Sequence, residues 1–419
     1  MRLGVDVIPV ARIAAAIERH GDRFLRRVYS DAELEYCRGN PEKLAGRWAA
    51  KEAVLKALGG RGRFPRMSLI EVLPGRRGAP GVRLTREPTP DIAVSITHDG
   101  GVAMAIAAVT EGDNDAVDEM MRAARSGAFP PELTLPERPD DGHKGTFGQV
   151  AVVAGSLGYT GAAYLCATAA ARAGAGYVRL LAAEGIYPIL AIKCSEVVVT
   201  QVPEVGPGVL GHAALDQVLR WCGQATAAVI GPGLGRDYST RRMVLDVAQQ
   251  VKIPAVIDAD GLNALSEQRK LLSRLPAHFV LTPHPAEMSR LCGLPVAEIQ
   301  ADREGVARRF AKEWGQVVVL KGAGTVIAAP DGRGHTDSHR LAALATAGTG
   351  DVLSGIIGGL LAQGMAPYEA AVTGVYLHGE AGAEASARLG TAGVLAGDLL
   401  PLVPVVETRL RAVLAFARR

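Results

Sequence analysis

At 419 residues the chain is too long for one typical domain, and two or three are expected. Hydrophobic residues make up 48%, enough for real cores, while aromatics are only 5%; a net charge of +3 does not mark nucleic acid as a main partner. The five cysteines (Cys37, Cys166, Cys194, Cys222, Cys292) are odd in number and far apart, so neither a disulfide framework nor a zinc site is suggested. Arg2 and Asp6 interrupt the first apolar run, which speaks against a signal peptide. The Ala-rich run at 162–183 is broken by Arg172 and Arg179 and does not read as a membrane span. The expectation is a cytoplasmic enzyme.

In chain order, Leu3 to Pro9 reads as a strand carrying one acid, Asp6. Val10 to Arg27 has helical apolar spacing, with Arg12, Arg19, Arg23, Arg26 and Arg27 on its polar face. Such a face is either solvated or a dock for an acidic partner. Asp31 is placed to cap a helix through Cys37, ended by Gly39-Asn-Pro41. A longer helix runs from Leu44 to a stop at Gly59-Gly60, and Glu52 and Lys56 share a face of it. Ile92 to His98 and Val102 to Val109 flank Asp99-Gly-Gly101, a hairpin signal.

Gly4-Val-Asp6-Val, Ala45-Gly-Arg47-Trp-Ala-Ala-Lys51-Glu52-Ala-Val-Leu-Lys56-Ala-Leu-Gly59 and Ser95-Ile-Thr97-His98 together resemble holo-[acyl-carrier-protein] synthase, in order and spacing, over about residues 1–109. Thr97 stands where that family usually has serine. The resemblance implies an α+β phosphopantetheinyl transferase that moves 4′-phosphopantetheine from coenzyme A to a carrier-protein serine. It also implies that Asp6 and Glu52 hold Mg²⁺, a pair of hard oxygen ligands that Mg²⁺ prefers. Arg47 and Lys56 would steady coenzyme A phosphates, and His98 would lie near the coenzyme A end. The arginine-bearing helix would meet the acyl carrier protein. A trimer-forming domain, hence a homo-oligomer, follows from the same resemblance.

Residues 111–142 are acidic and then proline-rich, and read as a linker between domains 1–110 and 143–419, with a short helix near Ala116 to Ala124.

From residue 143 onward, apolar runs of strand length alternate with helical stretches: Val150 to Ala154, Tyr177 to Leu181, Val197 to Thr200, Ala227 to Ile230, Pro254 to Ile257, Phe279 to Leu281, Val317 to Leu320 and Thr325 to Ile327. Consecutive β-branched residues imply strands buried on both faces, hence a mainly parallel sheet with helices on both sides. Gly155-Ser156, Gly231-Pro-Gly-Leu-Gly235, Asp258-Ala-Asp260-Gly261, Thr282-Pro-His284-Pro285 and Lys321-Gly-Ala-Gly-Thr325 each follow a strand. Open α/β sheets bind ligands there, so one cleft is expected. Thr346-Ala-Gly-Thr-Gly-Asp351 leads into an apolar helix: backbone N–H groups suited to an anion, beside a carboxylate suited as a base, or a plain glycine turn with Asp351 as cap. P-loop, dinucleotide-fingerprint and nucleophile-elbow motifs are missing from the sequence.

These loops, with His143-Lys-Gly-Thr-Phe-Gly148, Gly161-Ala-Ala163 and Glu287, resemble the NAD(P)H-hydrate dehydratase family, which has a ribokinase-like fold, over about residues 140–405. The family repairs NADH and NADPH whose nicotinamide ring has been hydrated; bacterial members use ADP and eukaryotic ones ATP. By that resemblance Asp351 takes the ring hydroxyl's proton, and Lys321, Gly322, Ala323, Gly324, Thr325 and Gly350 hold the adenine nucleotide. Ala162, Ala163, Gly235 and His284 line the hydrated dinucleotide. Asp258 and Asp260 either help hold Mg²⁺ or cap the next helix. One departure stands out: the family often has Gly-Asn-Pro-Gly-Met before Ala-Thr, where this chain has Arg340-Leu-Ala-Ala-Leu344. The rival reading is a ribokinase-type small-molecule kinase with a non-catalytic first domain used for oligomerisation.

Overall fold

The protein, seen as a computed structural model, is described for residues 2–58, 67–75, 79–84, 91–110, 132–276 and 278–417. It divides into two units, Met1–Arg122 and Ala123–Arg419. The helix stop at Gly59-Gly60, the helix near Ala116 to Ala124 and most of the linker lie outside the described residues.

In the first unit the helix Val10–Val28 forms as expected, and its five arginines are exposed. The next helix, Asp31–Cys37, is capped by Ser30 rather than Asp31. The Ser30 hydroxyl accepts from the Glu33 N–H, and the Glu33 carboxylate accepts from the Ser30 N–H, a reciprocal cap. Asn40-Pro41, read as an end signal, starts the following helix instead. Asn40 Oδ1 accepts from the Glu42 and Lys43 N–H groups, and Pro41 opens Pro41–Ala57. Arg2–Pro9, Val102–Thr110 and Asp91–Asp99 form an antiparallel sheet in that order, the last two joined as the expected hairpin. A second hairpin, Ile70–Pro74 with Pro80–Leu84, carries no sustained apolar run and was not legible in the sequence.

Gly4 sets how this sheet meets its helix. A Cβ at Gly4 would lie 2.0 Å from the Ala53 carbonyl oxygen, so strand and helix backbones touch. Alternation along the strand then turns Gly4, Asp6 and Ile8 toward the helix Pro41–Ala57 and leaves Leu3, Val5 and Val7 exposed. Alanines 45, 49, 53 and 57 form the helix's buried stripe.

Among the described residues the second unit is built on a nine-stranded sheet. Its order is Gly334–Thr336, Val326–Ala328, Val317–Leu320, Phe279–Leu281, Ala255–Ile257, Ala227–Ile230, Gln149–Val153, Tyr177–Ala183 and Val198–Val202. From Val317–Leu320 onward the strands are parallel; the two before it are antiparallel. The mainly parallel sheet expected from the sequence is therefore present. Its central strands are buried along their whole length, as β-branched residues on both faces require. The Ala-rich run resolves into the helix Thr160–Arg172 and the strand Tyr177–Ala183. Among the described residues no helix is long and apolar enough to cross a membrane. Residues 132–142 lie on this unit: the Thr134 N–H and carbonyl both bond the Thr373 hydroxyl, and Arg138 donates to the Gly174 carbonyl.

The helix Thr349–Ala362 is buried at every position from Val352 on. It meets the helix Thr160–Arg172 through Gly355, where a Cβ would fall 2.1 Å from the Cys166 carbonyl oxygen. Gly355→Ala is expected to push the helices apart and cost about 1–3 kcal/mol, the usual range for overpacking. Thermal unfolding of the second unit checks this; an unchanged midpoint contradicts it.

Candidate active site

Five motif loops leave the carboxyl ends of neighbouring parallel strands and so lie along one rim of the sheet. Asp258 follows Ala255–Ile257 and Lys321 follows Val317–Leu320. Lys321 Nζ sits 2.7 Å from Asp258 Oδ1 and 3.8 Å from Glu287 Oε2. The second Asp258 oxygen accepts from Ser354 Oγ at 2.7 Å, on the buried helix Thr349–Ala362. Asp258 is 1% exposed. Both its oxygens are thus engaged within the protein, and its side chain does not cap the next helix. Asp260 is likewise engaged, by the Gly235 N–H at 2.8 Å and Asn263 Nδ2 at 3.0 Å.

The helix Thr349–Ala362 opens on Gly348 in a left-handed conformation (φ 94°), with no side-chain cap. Asp351 is therefore not the cap; it is the third residue of the first turn. Its carboxyl is pushed up to about 7, by burial first and then by Asp258, with Lys321 opposing and Asp260 and Glu287 adding to the rise. Lys321 shows the reverse balance. Burial acts to lower it, but Asp258 and Glu287 overcome this and hold the ammonium above its usual value. Lys321 Nζ also reaches the helix start, 3.4 Å from where a Cβ on Gly350 would sit. His378, pushed down to about 4 by burial, faces the Thr349 carbonyl through Nε2 at 2.9 Å; a neutral ring donates there and steadies this turn.

His284 caps the helix Pro285–Cys292: its Nδ1 accepts from the Ala286 and Glu287 N–H groups, and its own N–H donates to Glu287. An accepting Nδ1 requires a neutral ring with the proton on Nε2. Burial, then Lys321 and Arg290, lower its pKa and favour that form.

A cavity of about 540 Å³ opens at this rim. His284, Lys321, Gly322, Ala323, Thr325 and Gly350 line it, so six of the expected residues meet in one place. Gly324 is buried behind them and donates its N–H to the His339 carbonyl. Ala162 and Gly235 lie apart from the cavity, on the Asp260 side, with Ala162 against Gly233. Ala163 is fully buried against Gly155, so of the pair only the Ala162 side chain has access to a ligand. Asp351 does not itself line the cavity, but its neighbour Gly350 does, and Asp258, Lys321, Asp260 and Glu287 all act on its carboxyl. The His143 to Gly148 motif does not reach the rim. It precedes the strand Gln149–Val153, and Gly148 abuts the carbonyl of Ala362 at the far end of the buried helix.

Several residues were not anticipated. Ser354 and His378 are polar side chains on apolar helices, the usual sign of a buried hydrogen bond. His339 bridges Asp337 (Nδ1, 3.0 Å) and Glu380 (Nε2, 3.0 Å), which raise its pKa to about 9 against its burial. Arg340 lines the cavity beside it.

In the first unit, Lys56 Nζ pairs with Asp6 Oδ1 at 2.8 Å and donates to the Val5 carbonyl at 2.8 Å. Glu52 is one turn earlier on the same helix face. Two carboxylates around a cation suit a divalent ion, although the described residues hold no group of three or more metal-ligating side chains. Arg47 is nine positions from Lys56, on the opposite side of the helix and about 13 Å along it. It stacks on Tyr36 at 4.7 Å and does not join the others within one chain. His98 is exposed on the sheet, in the row of Ala103 and Ile8.

A family model described as NAD(P)H-hydrate dehydratase matches residues 150–404. The chain belongs to this family. Residues 2–107 match the 4′-phosphopantetheinyl transferase superfamily. The Bifunctional NAD(P)H-hydrate repair enzyme Nnr of Moorella thermoacetica is 47% identical over 276 residues, covering 66% of this chain and 52% of that protein. The chain thus spans about half the length of that relative. The ADP-dependent (S)-NAD(P)H-hydrate dehydratase of Neisseria meningitidis serogroup B is 39% identical over 65% of this chain and 89% of its own. Among solved structures, the ADP/ATP-dependent NAD(P)H-hydrate dehydratase of Bacillus subtilis, co-crystallised with ATP and Mg²⁺, is 32% identical. It superposes with a TM-score of 0.56 over 67% of this chain and 95% of its own. A ribokinase-like superfamily protein of Enterococcus faecalis V583 gives 27% identity and a TM-score of 0.59, covering 67% and 93%.

The raised Asp351 carboxyl has a stability consequence. The folded state holds its proton more tightly than the unfolded chain, so stability falls as pH rises from about 4 to about 7. Asp351→Asn removes that cost. Its melting temperature is expected to exceed wild type above about pH 7 and to converge with it near pH 4. A difference independent of pH contradicts the assignment.

Proposed function

We propose that the second unit restores hydrated NADH and NADPH by an ADP-dependent dehydration, and that the first transfers 4′-phosphopantetheine from coenzyme A to a carrier-protein serine. The observation that carries the first reading is Asp351. It is a partly buried carboxyl on the first turn of an uncapped helix, next to Gly350, which lines a nucleotide-sized cavity together with Lys321, and it feels the charge of Asp260, which holds the Gly235 loop. The family membership and the ADP-dependent relatives support it.

The chemistry follows from what a ring hydroxyl lacks: it is a poor leaving group. Asp351 takes the hydroxyl proton as the oxygen attacks the terminal phosphoryl group of ADP. The new O–P bond forms, the bond to AMP breaks, and AMP leaves. The ring C–O bond then breaks with phosphate departing, and loss of the neighbouring C–H proton restores the double bond. NADH hydrate and ADP thus yield NADH, AMP and phosphate. The helix-start N–H groups and Lys321 stabilise charge on the phosphoryl group. The neutral His284, whose Nε2 lies 3.4 Å from Glu287 Oε1, lines the cavity as a donor that adds no charge.

For the first unit, Asp6 and Glu52 would hold Mg²⁺, which would neutralise charge on the coenzyme A pyrophosphate. Lys56 adds a cation at the same place, and the arginines of Val10–Val28 offer a surface to an acidic carrier protein. The exposed apolar strand face with Leu3, Val5, Val7 and Ile106 supports a homo-oligomer.

The test is hydrated NADH incubated with ADP or ATP while restored NADH absorbance is followed. With ADP saturating, kcat/KM is expected to rise with pH up to about 7 and level off above, because the ionised Asp351 is the base. Asp351→Asn is expected to lose about 10²–10⁴-fold. No restoration with either nucleotide overturns the reading. Separately, coenzyme A, Mg²⁺ and apo carrier protein should give a phosphopantetheine mass gain that Asp6→Ala abolishes; no gain with wild type removes the transferase assignment.

A further inference from the structure

The loop Lys321–Thr325 is flanked by two arginines from different parts of the chain. Arg303, at the start of the helix Arg303–Trp314, donates to the Leu320 carbonyl at 2.9 Å and to Gln300 at 3.0 Å, and packs against Gly322. Arg340 comes from the segment after Gly334–Thr336. Its Nη2 lies 3.4 Å from where a Cβ on Gly324 would sit, and it lines the cavity. The other cations of the cavity wall are matched: Lys321 by Asp258 and Glu287, His339 by Asp337 and Glu380. Among the described residues neither Arg303 nor Arg340 meets a carboxylate within ion-pair distance. The two guanidiniums repel, and burial together with Arg340 lowers the pKa of Arg303. Two like charges across a glycine loop, with no anion of the protein between them, leave an anion-shaped demand at the mouth of the cavity.

We propose that Arg340 binds a phosphate group of the donor nucleotide. This rests on the reading of the cavity as the nucleotide site. A guanidinium fits phosphate in a two-pronged geometry that an ammonium does not reproduce. Arg340 also opens the stretch Arg340–Leu344, several of whose residues line the same cavity wall.

The experiment is calorimetric binding of ADP, AMP and adenosine to the full chain, wild type and variants. Arg340→Ala is expected to weaken ADP about 10- to 100-fold, the range for a lost charge-assisted contact, and to leave adenosine unchanged. Arg340→Lys should fall between the two, and added salt should weaken ADP more for wild type than for Arg340→Ala. Arg340 is exposed, so the fold does not depend on it, and retained adenosine binding verifies this in each variant. Equal ADP affinity in wild type and Arg340→Ala, or an equal loss for adenosine and ADP, overturns the proposal while leaving the dehydratase reading in place. Failure of wild type to bind ADP at all overturns both.

Discussion

The rim of the second unit depends on one buried ion pair, Lys321 with Asp258, drawn from residues 63 apart in sequence. Burying both charges costs several kcal/mol unless each finds further partners. Here Asp258 also accepts from Ser354, and Lys321 also meets Glu287 and the helix start at Gly350. The pair therefore joins the ends of two strands, the helix capped by His284 and the buried helix Thr349–Ala362. One ammonium does not balance Asp258, Glu287 and Asp351 together. The surplus of negative charge, added to burial, lifts Asp351 toward neutrality, where a carboxyl can accept and release a proton near physiological pH.

The first unit solves a smaller version of the same problem. Gly4 lets the strand lie on the helix Pro41–Ala57, alternation turns Asp6 to that side, and Lys56 comes to meet it. A carboxylate held beside a flexible, half-exposed cation can exchange partners; one that is itself buried, between a largely buried ammonium and a buried serine, is held far more tightly. That contrast fits the proposed roles, with Asp6 as a ligand for an exchangeable ion and Asp258 as a fixed support.

Much of the fold was legible because it rests on local signals. Runs such as Val317 to Leu320 and Ala227 to Ile230 are strands because β-branched residues fill both faces, and the glycine-rich loops after them share one rim for topological reasons. The membership of Lys321 and Gly350 in one site was legible through the family resemblance, whereas His284, expected beside the dinucleotide with Ala162 and Gly235, lines the same cavity as Lys321. The pairing of Lys321 with Asp258, the His339 bridge and the cap formed by His284 were not legible, since long-range charge pairing leaves no mark in a single sequence. The separation of Arg47 from Lys56 was readable from helical phase alone. The short hairpin Ile70–Pro74 with Pro80–Leu84 was hidden by its prolines and lack of an apolar run.

The central claim is that the ring hydroxyl leaves as phosphate after Asp351 takes its proton. The most direct measurement uses hydrated NADH carrying a heavy oxygen isotope in that hydroxyl, turned over with ADP, followed by mass analysis of the products. The account requires the label in inorganic phosphate, in step with the AMP formed. Label recovered in water instead would show direct dehydration without phosphorylation and would contradict it.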